Sequence, residues 1–198
     1  MTERPIIFST PMVRAILDGR KTQFRWVVKN MPPQPTGAYF DAYNKSEFWN
    51  WWTKENKCCL PQIKCPHGAP SDRLWVRETF CLDFCDHVIY KADGGSAIDA
   101  GYSSEPNWKP SIHMPRHASR ITLEVISVRV ERVQDITGSD ACAEGIQFRH
   151  VNSGAPLQGP LYKENIQQFS QLWDSINAKR GYGWDKNPWV WVVEFKQV

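Results

Sequence analysis

Residues 120–133 read RITLEVISVRVERV, and this stretch decides the fold class. Ile121, Leu123 and Val125 alternate with Thr122, Glu124 and Ile126. That period of two puts one side of a strand in a core, and a bulge is expected midway. Working outward, Trp189 to Phe195 (WVWVVEF) is an aromatic and β-branched strand, and Leu74 to Phe80 follows the turn Pro70-Ser71-Asp72 as another. Val88-Ile89-Tyr90 and Phe24 to Lys29 complete the strands. Ser9-Thr10-Pro11 marks a helix start, with Met12, Val13, Ile16 and Leu17 on one face and Gly19 as its C-terminal cap. Asp135 to Gly145 reads as a short helix capped by Thr137 or Ser139. Lys163 to Lys179 is amphipathic through Ile166, Phe169, Leu172, Trp173 and Ile176. The order predicts an α+β fold around a small β-barrel or curled sheet with short flanking helices.

The chain has 198 residues, which suits a single domain spanning 1–198. Residues 30–72 carry Met31-Pro32-Pro33-Gln34-Pro35 and a run of aromatic residues without lasting periodicity, so an insertion is expected near 30–65. A second is expected near 147–162. No apolar run approaches the length of a membrane span and the start MTERPIIFST lacks a hydrophobic signal core, so no membrane partner and a cytoplasmic location are expected.

The net charge is +3, and residues 1–60 hold nine basic and five acidic side chains, so the basic excess sits in the first third. That is weak for a protein gripping long RNA, which neutralises several phosphates, and it favours a nucleoside-sized ligand. Ten tryptophans supply core anchors or stacking surfaces. Phosphate loops, dinucleotide fingerprints, serine elbows and H-E-x-x-H motifs are absent. Cys58, Cys59, Cys65, His67, Cys81, Cys85 and His87 are zinc-competent side chains, but they contain no C-x-x-C pair, so no metal is expected.

Two groups of residues are chemically pointed. Trp108 to Arg120 packs cations, hydroxyls, His113 and a tryptophan between stiffening prolines, a mixture suited to an anionic or base-bearing ligand. The ordinary alternative is a loop whose Arg116 and Arg120 pair with surface carboxylates. Lys21 follows the first helix and Glu144 ends the helix after the long strand; if both helices lie across one barrel mouth, ammonium and carboxylate meet in a cleft. The ordinary alternative there is a surface ion pair.

Ile16-Leu17-Asp18-Gly19-Arg20-Lys21-Thr22, the strand 121–130, Ala143-Glu144-Gly145-Ile146 and the terminal strand together resemble the ASCH family of small PUA-like barrels. Asp72 to Glu78 and Trp108 to Arg120 resemble segments of its bacterial and prophage members. The resemblance implies a positively lined cleft for a nucleoside and no cofactor. Some members are N4-acetylcytidine amidohydrolases that use a lysine, a threonine three residues later and a glutamate. These positions fall on Lys21, Phe24 and Glu144, so the threonine hydroxyl is missing here. Lys21 is then expected to act as base with Glu144 as partner, or Thr22 to act as nucleophile. Phe24, Arg25, Trp26, Trp75, Glu78, His113 and Arg116 are the expected substrate-binding residues. The other readings are a non-catalytic module binding RNA or a modified nucleoside, a ribonuclease using Lys21, His113 and Arg116, and a structural phage part.

Overall fold

The structure is a computed structural model that describes residues 1–29, 37–40, 48–52, 63–82, 87–94, 107–146 and 160–198. In chain order the elements are β1 (Glu3–Ile7), α1 (Thr10–Leu17), β2 (Gln23–Val27), β3 (Gly37–Phe40), β4 (Phe48–Trp52), β5 (Ile63–Lys64) and β6 (Arg73–Arg77). They continue with β7 (Phe80–Leu82), β8 (Val88–Tyr90), β9 (Thr122–Arg132), α2 (Gly138–Ala143), α3 (Pro160–Asn177) and β10 (Trp189–Gln197). The α+β reading holds.

Five strands form one mixed sheet in the order β1-β6-β9-β10-β2. Only β1 runs parallel to its neighbour, with Glu3 opposite Arg73 and Ile7 opposite Arg77. The sequence pattern did not signal β1, because five residues with a charge pair and a proline carry little periodicity. Among the described residues β1 has a partner on one side only, so Pro5 is tolerated there.

The bulge expected in the long strand is present. Glu194 faces Ser127 and Phe195 faces Val125, so Ile126 is the extra residue, and it is 52% exposed. Before it, Ile121, Leu123 and Val125 are buried as the alternation requires. β10 reads as a continuous apolar run because both of its faces are covered. Trp191, Val193 and Phe195 enter one core with Phe8, Phe24, Leu74 and Leu123, while Val190 and Val192 enter another with Phe169 and Trp173 of α3.

A closed barrel is not what the hydrogen bonds describe. Among the described residues β1 and β2 are the outer strands of the sheet and do not pair with each other. The sheet is nevertheless curled, since Phe8, just past β1, meets Phe24 of β2 edge-on at 5.7 Å. The expectation of an irregular stretch over 30–72 is also corrected: β3, β4 and β5 form a separate three-stranded antiparallel sheet. Aromatic residues there hid the short strands from a periodicity test. Cys58, Cys59 and Cys85 lie outside the described residues, as does most of the expected insertion at 147–162. Among the described residues no cluster of three metal-ligating side chains occurs.

The expected helices are present with shifted ends. Ser9 supplies only its carbonyl to α1, accepting from Val13 N at 2.9 Å, and its hydroxyl makes no cap bond. Thr137 caps α2 in a reciprocal box with Asp140. No helix is long and apolar enough to cross a membrane among the described residues.

Candidate functional site

The chain reverses after α1 through Gly19, whose φ of +70° suits a residue without a Cβ. Arg20 N and Lys21 N both donate to the Ala15 carbonyl at 2.9 Å, which fixes Lys21 where β2 begins. Across from it α2 ends with Glu144 as its C-cap, and Thr22 N donates to Ala143 O at 2.8 Å. Lys21 and Glu144 therefore face each other as an antiparallel bridge. Gly145 follows with φ +92°, and a Cβ there would lie 3.0 Å from Ala15 Cβ and 3.3 Å from Lys21 Cβ. The close approach of three segments depends on that missing methyl.

Lys21 Nζ donates to Glu144 Oε2 at 2.7 Å and to Glu144 O at 2.9 Å. The two side chains are 1% and 6% exposed, so the surface ion pair offered as the ordinary alternative is corrected to a buried one. The ammonium also lies 5.9 Å from the centre of the Phe8 ring. Burial strengthens the attraction between the charges because less water screens them.

Period two along β2 carries the same face onward to Gln23 and Arg25. Arg25 Nη1 donates to Glu144 Oε1 at 3.1 Å and Nη2 to Glu131 Oε1 at 2.6 Å, with Asp140 Oδ2 at 3.6 Å. Its guanidinium lies over Phe169 of α3 at 5.7 Å. Gln23 Nε2 donates to Asp140 O at 2.9 Å. Arg129 extends the network outward, donating to Glu131, Asp140 and Glu194. Burial pushes the Asp140 carboxyl up, but hydrogen bonds from Thr137 and the nearby Arg25 outweigh it and hold it below its ordinary value. Glu131, Asp140, Arg129 and Gln23 were not singled out from the sequence. The only signal was alternation on β2 and β9, which says nothing about which faces meet.

The opposite face of β2 holds Phe24 and Trp26. Phe24 is buried in the core against Phe8 and Phe195, while Trp26 is 40% exposed and meets His67 edge-on at 5.0 Å. Thr22 is exposed, one residue out of phase with Lys21.

The remaining expected binding residues gather around β6. Arg77 and Arg116 lie over the Trp75 ring at 5.4 and 5.9 Å. Arg116 forms a two-point pair with Glu3 at 2.7 and 3.0 Å, an exposed pairing as the ordinary alternative has it. His113 is exposed in a short 3-10 turn, Ser111–His113. Glu78 is buried and receives Arg120 at 3.0 and 3.2 Å, and Arg120 stacks on Tyr90 at 3.9 Å. Burial pushes the Glu78 carboxyl up against the opposing pull of Arg120. The structure thus brings Lys21, Glu144 and Arg25 together, and places Trp75, Arg116 and Arg77 in a second group.

No family model and no curated protein matches this chain. Among solved structures the chain is similar to the ASCH domain from Lactobacillus crispatus JV V101, at 11% identity. That match covers 99% of this chain and 79% of the other, with a TM-score of 0.37.

Proposed function

We propose that this chain is an amidohydrolase that removes the acyl group from N4-acylated cytidine or a similar modified pyrimidine nucleoside. One observation carries the reading: Lys21 Nζ and the Glu144 carboxylate, 123 positions apart in the chain, sit 2.7 Å apart in a buried pair. Such a bond is a direct path for a proton between the lysine and the carboxylate. Passage of that proton to Glu144 leaves Lys21 as an amine. The amine takes a proton from water as the hydroxide adds to the acyl carbon. The Glu144 carboxyl then gives its proton to N4 as the C–N bond breaks, releasing the free acid and cytidine. Phe24 offers no hydroxyl and Thr22 sits out of phase with Lys21, so water is the nucleophile. Arg25 is committed to carboxylates and so is not the donor for the oxyanion.

A second reading, a module that binds a nucleoside or RNA without cleaving it, is favoured by the same burial. The Lys21 side chain is 1% exposed and Phe24 fills the core beside Phe8. Absorbance-monitored turnover of N4-acetylcytidine and N4-benzoylcytidine decides between them. The wild type releases cytidine under the first reading, while Lys21→Ala and Glu144→Ala release none. Binding without release in the wild type replaces the first reading by the second. Loss of turnover in Thr22→Ala would move the nucleophile from water to that hydroxyl.

A further inference from the structure

We infer that Arg25 is a positioning residue that fixes the rotation of the Glu144 carboxylate and so presents one oxygen, Oε2, to Lys21. The inference rests on the reading of Lys21 and Glu144 as the reacting pair, and it adds a residue that touches neither substrate nor reacting nitrogen. The geometry assigns the two oxygens of Glu144 separately: Oε2 takes Lys21 at 2.7 Å and Oε1 takes Arg25 at 3.1 Å. A carboxylate held at both oxygens by cations just before β2 and within it cannot turn about its terminal bond without losing a buried charge-assisted bond.

Arg25 is itself held. Its other terminal nitrogen donates to Glu131 of β9 at 2.6 Å, Asp140 of α2 lies at 3.6 Å, and Phe169 of α3 lies under the guanidinium plane. The side chain is 1% exposed. Three elements thus set one guanidinium, and the guanidinium sets one carboxylate. A planar fork is needed for that task, since a lysine at the same place reaches one oxygen as a point charge. The two oxygens are equivalent, so what Arg25 fixes is the plane of the carboxylate against Lys21; a purely structural clamp would leave the cover of Lys21 unchanged when Arg25 is shortened, and this difference is what the test reads.

The test compares wild type, Arg25→Lys, Arg25→Met and Glu131→Gln by two measurements. The first is steady-state turnover of N4-acetylcytidine. The second is acetylation of Lys21 by acetic anhydride, read by mass spectrometry against exposed Lys196 in the same molecule, with melting temperature recorded for each variant. In Arg25→Met, kcat falls about 100-fold with KM unchanged, and Lys21 acetylation rises about tenfold relative to Lys196 as Glu144 turns away. Arg25→Lys recovers part of both, and Glu131→Gln, which leaves Arg25 in place but loosens it, shows the same changes in weaker form. Unchanged Lys21 acetylation in folded Arg25→Met and Glu131→Gln overturns the positioning role whatever turnover does. An unchanged kcat in those variants, with the wild type active, overturns it too and leaves the hydrolase standing. A wild type without turnover but with the acetylation pattern intact removes the hydrolase reading and keeps the positioning role.

Discussion

Glu144 and Glu78 are both buried carboxylates with arginine partners, yet the molecule uses them differently. Glu78 receives both of its bonds from one guanidinium, and Arg120 is in turn covered by Tyr90 and bonded to Asp93. Each nitrogen of Arg120 has an acceptor, and the arginine does not release a proton. Glu144 is divided between a lysine and an arginine, so one of its two partners is a group that can give up a proton. The first arrangement ties the end of β6 to the turn after β8. The second ties α2 to β2 through a lysine as well as an arginine. Burial alone does not separate the two carboxylates; the kind of cation on each oxygen does.

The largest effect expected from this contrast is on turnover. Glu144→Gln keeps the shape but accepts no proton, and turnover of N4-acetylcytidine per folded molecule should fall by at least about 100-fold; it also removes the countercharge of buried Lys21 and Arg25, so the melting curve moves down as well. Arg120→Met should leave turnover alone. It strands Glu78 without its partner and should destabilise the fold by about 3–5 kcal/mol in urea denaturation, with turnover per folded molecule retained. Turnover lost equally in both variants would erase the contrast.

A smaller effect is expected at Gly145. A Cβ there meets Ala15 Cβ at 3.0 Å, and the φ of +92° is strained for any side chain, so Gly145→Ala should destabilise by about 1–3 kcal/mol. Because the added methyl also reaches Lys21 Cβ at 3.3 Å, kcat should fall more than KM rises. A variant with wild-type melting behaviour would show that the α1–α2 approach is loose and that the pair does not depend on it.

The smallest effect is a slope with pH. Burial, helped by the charge of Arg4, lowers His67 from its ordinary 6.5 to about 4. Between those values the unfolded chain binds a proton that the folded chain refuses, so stability present above pH 6.5 is lost as pH falls toward 4. His67→Phe should flatten that part of the stability profile in urea titrations at stepped pH. An unchanged slope would assign it to the carboxylates of the two charged groups.

The elements themselves were largely legible. β9 and β10 carry strong periodicity, and the bulge at Ile126 follows from an alternation that fails at one point. The helices announced their ends through Pro11, Gly19 and Thr137. β1 and the sheet of β3, β4 and β5 were not legible: β1 mixes a charge pair with a proline, and the aromatic residues of β3 and β4 follow one another without alternation. The site was half legible. Lys21 and Glu144 stood out at the ends of their helices, whereas Glu131 and Asp140 looked like ordinary polar positions on a strand and in a cap.

The features readable along the chain are local: the period of each long strand, the stops of each helix, the absence of a hydroxyl at Phe24, and a lysine and a glutamate at chain turns. Each depends on neighbours within a few residues, which a linear string records. Folding added the burial of Lys21 with Glu144, the hold of Arg25 on the second oxygen, and the turn of Phe24 into the core. Those outcomes depend on which faces of β2, β9 and α2 meet after the sheet curls. Packing, not the order of residues along the chain, makes that choice.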